Sequence, residues 1–317
     1  IHTYASRDPY RQARGRYDKL LSEFPDSPLA STAMYNLALL HEQAREWEPA
    51  ITTYRDLVAR YRTGRDVVDA AMRIGALYAE LARYPEAEAA IDAVLARDDL
   101  SHADRVEGLA RKGYVVLEQR DLDRADLSLR DAIAAYRRAP RIEDPYYIAM
   151  AYYYEGEVEH RRFTAAPLRA PLEQLEKDIA ERAAIATRAY DRYIETLDFK
   201  QAYWATAAGY QMSQLFKELW DAAVQAPMPG EIAAEARAHY VERVHRLVRV
   251  YLEKALVGHQ KNVELAAAYG TTTVWSDASR RRADEIGVLL SREGAGELVT
   301  PGPKTAASTY VPSRIDL

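Results

Sequence analysis

Apolar residues in the first half of this chain recur at helical spacing, and the pattern itself returns every 37 or 38 residues. Ala13, Tyr17 and Leu20 are matched by Ala50, Tyr54 and Leu57, then by Ala87, Ile91 and Val94, and then by Ala125, Leu129 and Ala132. A small residue followed four and seven places later by larger apolar ones marks one helical face. A second series lies between these: Leu37-Ala38, Ile74-Gly75, Lys112-Gly113 and Met150-Ala151, at steps of 37, 38 and 38. Two helices per period, each with a small residue at a fixed place, predict stacked helical hairpins that approach closely at those places.

The pattern predicts helices near 9–24, 28–45, 48–62, 66–83, 85–97, 101–119, 122–138, 145–163, 171–198, 200–226, 230–257, 259–269 and 275–291. Ser27 reads as an N-cap with Pro28 at the first helical position, Ser101 precedes a later first helix in the same way, and Asp144-Pro145 repeats the device. Short loops at Arg45-Glu46 and Arg120-Asp121 force antiparallel neighbours. Ala13 to Pro25 occupy second-helix positions of a repeat whose first helix is absent, which predicts sequence upstream or a partner over that face.

Regularity fails after residue 163. The second-helix alanine due there comes only at Ala186, followed by Tyr190 and Tyr193, with Pro167 and Pro171 bracketing a turn. Helices then lengthen, and Pro227-Met228-Pro229-Gly230 separates two of them. From Arg292 the chain changes character: Gly294, Gly296, Pro301, Gly302, Pro303 and Pro312 predict an extended tail, pinned to this chain or to a partner. The expected organisation is a regular array over 1–163, divergent helical repeats over 164–291 and a Pro/Gly-rich tail over 292–317.

The segment Ala33 to His41, continued through Trp47, Ala50 and Tyr54, resembles the tetratricopeptide repeat (TPR), with its bulky residue, Leu-Ala step and Ala-x3-aromatic second helix. Residues 69–99 resemble it again through Gly75, Tyr78, Tyr84 and Ala87, and residues 107–137 through Gly113, Val116, Leu122 and Ala125. The resemblance implies an all-α, TPR-type α-α superhelical solenoid with a divergent, longer-helix C-terminal half. It also implies that first helices line a concave protein-binding groove. The residues so placed are Tyr35, Asn36, Leu39, Glu42 and Gln43; then Asp69, Met72, Arg73, Ala76 and Glu80; then Glu107, Arg111, Tyr114 and Glu118. Aromatic residues, one Met and alternating charges suit an extended or helical peptide. Tyr35 and Leu39 stand where the carboxylate-clamp version of the family carries Lys and Asn, so capture of chaperone tails is not expected.

The joint Leu21-Ser22-Glu23-Phe24-Pro25-Asp26-Ser27-Pro28-Leu29-Ala30 resembles that of bacterial envelope TPR proteins, the BamD-like assembly lipoproteins and the CpoB-like division coordinators. This implies a periplasmic, outer-membrane-associated scaffold with protein partners, although the chain holds no cysteine to carry a lipid. Two other readings stay open: a cytoplasmic adaptor or regulatory sensor using the same groove, and a helical enzyme or ligand-binding domain within 164–291.

Composition narrows the chemistry. A net charge of −5 with 43 basic residues lacks the footprint of a nucleic-acid binder. Zero cysteines exclude disulfides, thiolate metal sites and thiol catalysis. The uncharged run from Gln201 to Phe216 is too short to span a bilayer and reads as a buried helix. No HExxH, phosphate-binding Gly loop or GxSxG is present. His239 and His245, six apart, fall on different helical faces and share no metal. His41 occupies an aromatic core position. Glu155, Glu157 and Glu159 read as solvated, and Arg280-Arg281-Arg282 as the solvated end of the last helix. The expectation is therefore no cofactor, no metal and no catalytic residue. Tyrosine is unusual, at 23 copies against 4 Phe. Tyr146, Tyr147, Tyr152, Tyr153 and Tyr154 cannot all face one way, so exposed tyrosines there, Tyr146, Tyr152 and Tyr153, are expected to form a second binding patch.

Overall fold

The computed structural model describes residues 7–230 and 233–298. Among them are twelve helices and no strands: α1 Arg7–Glu23, α2 Ala30–Gln43, α3 Trp47–Arg60, α4 Arg65–Glu80, α5 Tyr84–Leu95, α6 His102–Glu118, α7 Leu122–Arg138, α8 Tyr146–Ala165, α9 Leu172–Leu197, α10 Ala202–Val224, α11 Ala234–Ala268 and α12 Val274–Gly294. The fold is all-α and of TPR type. Two compact units divide at Pro140 and Arg141, earlier than the change of regularity at 163, because α8 packs on α9 and α10.

In the first unit each helix from α1 to α7 packs on its chain neighbours, and the first helices α2, α4 and α6 also touch in succession. The residues marked by the repetition explain this: Ala50, Ala87 and Ala125 have no exposed surface. At Gly75 and Gly113 the partner helix comes so close that a Cβ would lie 2.7 Å from Ile91 Cγ1 and 2.4 Å from Leu129 Cδ2. Close approach, not chain flexibility, sets the small residue in each first helix. The hairpin turns are equally regular, since Arg45, Ala82 and Arg120, at steps of 37 and 38, all have left-handed φ (59°, 55° and 66°).

Helix starts follow the expectation in part. Ser101 caps α6 with a reciprocal pair: its hydroxyl accepts the Asp104 N–H, and the Asp104 carboxylate accepts the Ser101 N–H. Asp144 accepts the Tyr146 N–H at the start of α8. Ser27 does not cap α2, which begins at Ala30; its hydroxyl accepts the Leu29 N–H and closes a turn ahead of the helix.

In the second unit α8 is covered by α9 and α10, α10 also packs on α11 and α12, and α11 packs on α12. The helix break expected between 257 and 259 does not exist, because α11 runs unbroken for 35 residues. Gly258 is there for packing: a Cβ would stand 2.5 Å from Ser213 Oγ on α10. At the other end α12 runs on through Gly294. The expected tail beyond Leu298 lies outside the described residues, as do the first six residues.

Candidate functional site

The first-helix face of the first unit forms three rows, one residue per hairpin in the register of Ala38, Gly75 and Gly113. They are Thr32, Asp69 and Glu107; Asn36, Arg73 and Arg111; and Gln43, Glu80 and Glu118. Gln43 is exposed, and Tyr35, Asn36, Leu39, Asp69, Arg73, Ala76, Glu80, Glu107, Arg111 and Glu118 are half-buried. Three expected groove residues are not on this surface. Met72 is buried with Ala71 and Val94 in a small core cluster, and its Cε lies close to Gly108. Tyr114 is buried, and so is Glu42. The neighbouring first helix covers Met72 at Gly108 and Glu42 through Arg73, and that shielding cannot be read from the face of an isolated helix.

Glu42 is buried because Arg73 reaches it from α4, with Nη1 donating to Oε2 at 2.9 Å. The same guanidinium donates through Nε to Asp69 Oδ2 at 3.1 Å and to the Tyr35 hydroxyl at 3.0 Å. The Tyr35 hydroxyl in turn donates to Asp69, and its ring lies 5.7 Å from that of Tyr54. Burial and the Asp69 carboxylate push the Tyr35 hydroxyl up to about 12. Burial raises the Glu42 carboxyl above its ordinary range, with Arg73 opposing. Burial also works against the Arg73 charge, but Glu42, Tyr54 and Asp69 outweigh it and hold the guanidinium firmly protonated. Arg73 is therefore a clamp between α2 and α4. In the next hairpin Arg111 Nε donates to Glu107 at 2.8 Å, an i, i+4 pair along α6 like that of Arg73 and Asp69 along α4.

The tyrosine patch expected on α8 is largely absent from the surface. Tyr152, Tyr153 and Tyr154 are all buried. Tyr153 and Tyr154 surround Trp204 of α10, and Tyr152 packs on Phe199. Tyr146 and Tyr147 are half-buried, with Tyr146 also against Trp204. Because α8 is covered on more than one side, its aromatic residues have neighbours all round. The adjacent glutamates are likewise not solvated. Glu155 pairs with Arg192, Glu157 accepts the Tyr193 hydroxyl at 2.5 Å, and Glu159 pairs with Arg162 and Arg188. His160 completes this interior, with Nδ1 3.1 Å from the Tyr193 hydroxyl.

His41 is buried as expected and also hydrogen-bonded, with Nδ1 2.8 Å from Glu46 and 3.2 Å from the Tyr10 hydroxyl. Arg280, Arg281 and Arg282 lie in the first half of α12, not at its end; Arg280 pairs with Asp277 and Arg282 with Glu285. His245 is bonded to Glu293 at 2.7 Å in the α11–α12 contact. His259, driven down to about 3 by burial, lies 3.3 Å from Ser279 and stays neutral. Among the described residues no three His, Asp or Glu side chains are grouped as metal ligands, and no helix is long and apolar enough to cross a membrane. Two exposed apolar side chains went unnoticed as site residues: Phe24 and Leu29, 61% and 64% exposed, flank the Pro25–Pro28 joint. Their signal was the joint itself.

Residues 32–63, covering α2 and α3, match the family model described as Tetratricopeptide repeat. No curated protein matches the chain. Among solved structures it is similar to a tetratricopeptide repeat protein from Parabacteroides merdae, at 10% identity over 90% of this chain and 94% of that one, with a TM-score of 0.40. It is also similar to the C-terminal part of a TPR repeat-containing protein from Cytophaga hutchinsonii, at 12% identity over 92% and 95%, with a TM-score of 0.47. A TPR repeats protein from Bacteroides fragilis aligns at 14% identity over 81% and 98%, with a TM-score of 0.33. The helical hairpins described above, with a match to the tetratricopeptide repeat model at 32–63, place α2 and α3 in the pattern of that repeat.

Proposed function

We propose that this protein is a non-enzymatic scaffold whose first-helix face, between residues 32 and 118, holds a peptide segment of another protein. The observation that carries this reading is the alignment of three side-chain rows across consecutive hairpins. Arg73 ties α2 to α4 and Arg111 pairs with Glu107 along α6, while Asn36, Leu39, Gln43, Ala76, Glu80 and Glu118 keep solvent access. A surface held rigid before binding loses little entropy on binding. The family match at 32–63 supports protein partners, and the charge balance favours them over nucleic acid.

The setting we propose is a bacterial envelope assembly on the periplasmic side of the outer membrane. The Phe24 to Ala30 joint supports it, and its exposed Phe24 and Leu29 offer a further apolar contact. A photo-crosslinking residue placed at Gln43 should capture partner adducts in cells, and one at Thr52, exposed on α3, should not. Adducts at Thr52 with none at Gln43 would overturn the groove assignment. Fractionation of the native source tests the setting independently, and recovery in the cytosolic fraction would remove it.

A further inference from the structure

The outer face of α12 is built to receive another helix, and we propose that the helix it receives is α12 of a second copy, packed antiparallel about a two-fold axis at Val288. The inward face of α12, with Ser276, Ser279, Ile286 and Glu293, is buried. On the far side of the helix Val288 is 60% exposed. Beside it, between α11 and α12, runs an open groove of about 690 Å³. Small side chains, Ala283, Gly287, Ser291 and Ala295, form its floor, and Leu256 and Gln260 of α11 form its wall. A Cβ at Gly287 would meet nothing within 4 Å, so the floor is open. The centre of the face is apolar and small-chained, which lets a second helix axis come within roughly 8–10 Å.

Charge selects the occupant. Asp284 and Arg292 stand four residues before and four after Val288, so all three share one face, and both charged residues are exposed. An antiparallel two-fold at Val288 brings Asp284 of each copy opposite Arg292 of the other, about 12 Å apart along the axis on either side of the centre. Arg281, also exposed, comes opposite Ala295 and beside Glu297. The face is thus complementary to itself, as an isologous contact requires. Within one copy Arg292 donates to Glu297 at 2.8 Å, but that pair is largely exposed and contributes little. The guanidinium is therefore available to turn to Asp284 across the axis.

Sedimentation equilibrium of the full chain, from 1 to several hundred micromolar, tests this. The wild type should show a monomer–dimer equilibrium. Asp284→Arg sets Arg against Arg, and Arg292→Asp sets Asp against Asp, so each alone should weaken dimerisation at least tenfold. The double exchange Asp284→Arg/Arg292→Asp restores opposite charges across the axis and should recover dimerisation. Val288→Glu should abolish it. Each substitution is on the surface, so circular dichroism should show unchanged helicity and an unchanged melting point. A wild type that stays monomeric throughout overturns the proposal, as does a dimer indifferent to these changes or a double exchange that fails to rescue.

Discussion

Arg73→Ala should destabilise the protein by removing the guanidinium that pairs with the buried Glu42 carboxylate. In the wild type Arg73 Nη1 and Glu42 Oε2 are 2.9 Å apart, and the Glu42 side chain is only 6% exposed against 33% for Arg73. Removing one member of a buried pair costs about 3–5 kcal/mol, because the remaining charge keeps its desolvation penalty. Water reaches the Arg73 side of the pair, so the lower end, about 3 kcal/mol, is expected. That corresponds to a fall of roughly 4–5 °C in melting midpoint for a protein of 317 residues. The loss should depend on pH with a definite sign. Burial already raises the Glu42 pKa in the folded state, and deleting Arg73 raises it further. A carboxyl whose folded pKa lies above its unfolded value binds more protons when folded. Its presence therefore lowers stability as pH rises from the unfolded value of 4.5 through the raised folded one. The deficit of Arg73→Ala relative to wild type should then be large at pH 7 and shrink toward pH 4.5. Adding Glu42→Gln should recover more than half of it at pH 7. Thermal denaturation followed by far-UV circular dichroism at pH 7 and pH 5 measures this. A deficit that is equal at pH 5 and pH 7, or a midpoint at pH 7 within a degree of wild type, would refute the reasoning.

Two further substitutions probe the phase of the repeat. Gly113→Ala should cost about 1–3 kcal/mol by overpacking against Leu129. Gly15→Ala, where a Cβ meets nothing within 4 Å, should instead gain roughly 0.5–1 kcal/mol in urea denaturation; equal effects would show the small-residue series to be incidental. Ala82→Gly should raise the midpoint slightly, by about 0.5–1 kcal/mol in stability, because the residue sits at φ 55° where a Cβ is strained. No gain would mean that the turn relaxes out of the left-handed region in solution.

The hairpin stack was legible because its causes are local and repeated. Ala50, Ala87 and Ala125 sit where two helices meet, so one contact geometry imposes one residue size at every period. The capped start at Ser101 was legible for the same reason, since its partner Asp104 is three residues away. Which groove residues stay exposed was not legible. The helical face that carries Tyr35 and Leu39 also carries Glu42, and only the reach of Arg73 from the next hairpin takes Glu42 out of water. Likewise Glu155, Glu157 and Glu159 follow a spacing that a solvated helix would share, and their partners Arg192, Tyr193 and Arg188 come from α9.

By itself the sequence determined the period and the pairing of helices in the first unit, because spacing at 3.6 residues per turn and small residues at fixed intervals act within one or two neighbouring helices. Only the tertiary structure decided which polar side chains are anchors and which remain at the surface, that α8 is enclosed and that α11 runs straight through Gly258. Burial is a property of what lies across a contact. For Glu42, Tyr153 and Gly258 the residue across the contact lies 31 or more positions away in the chain.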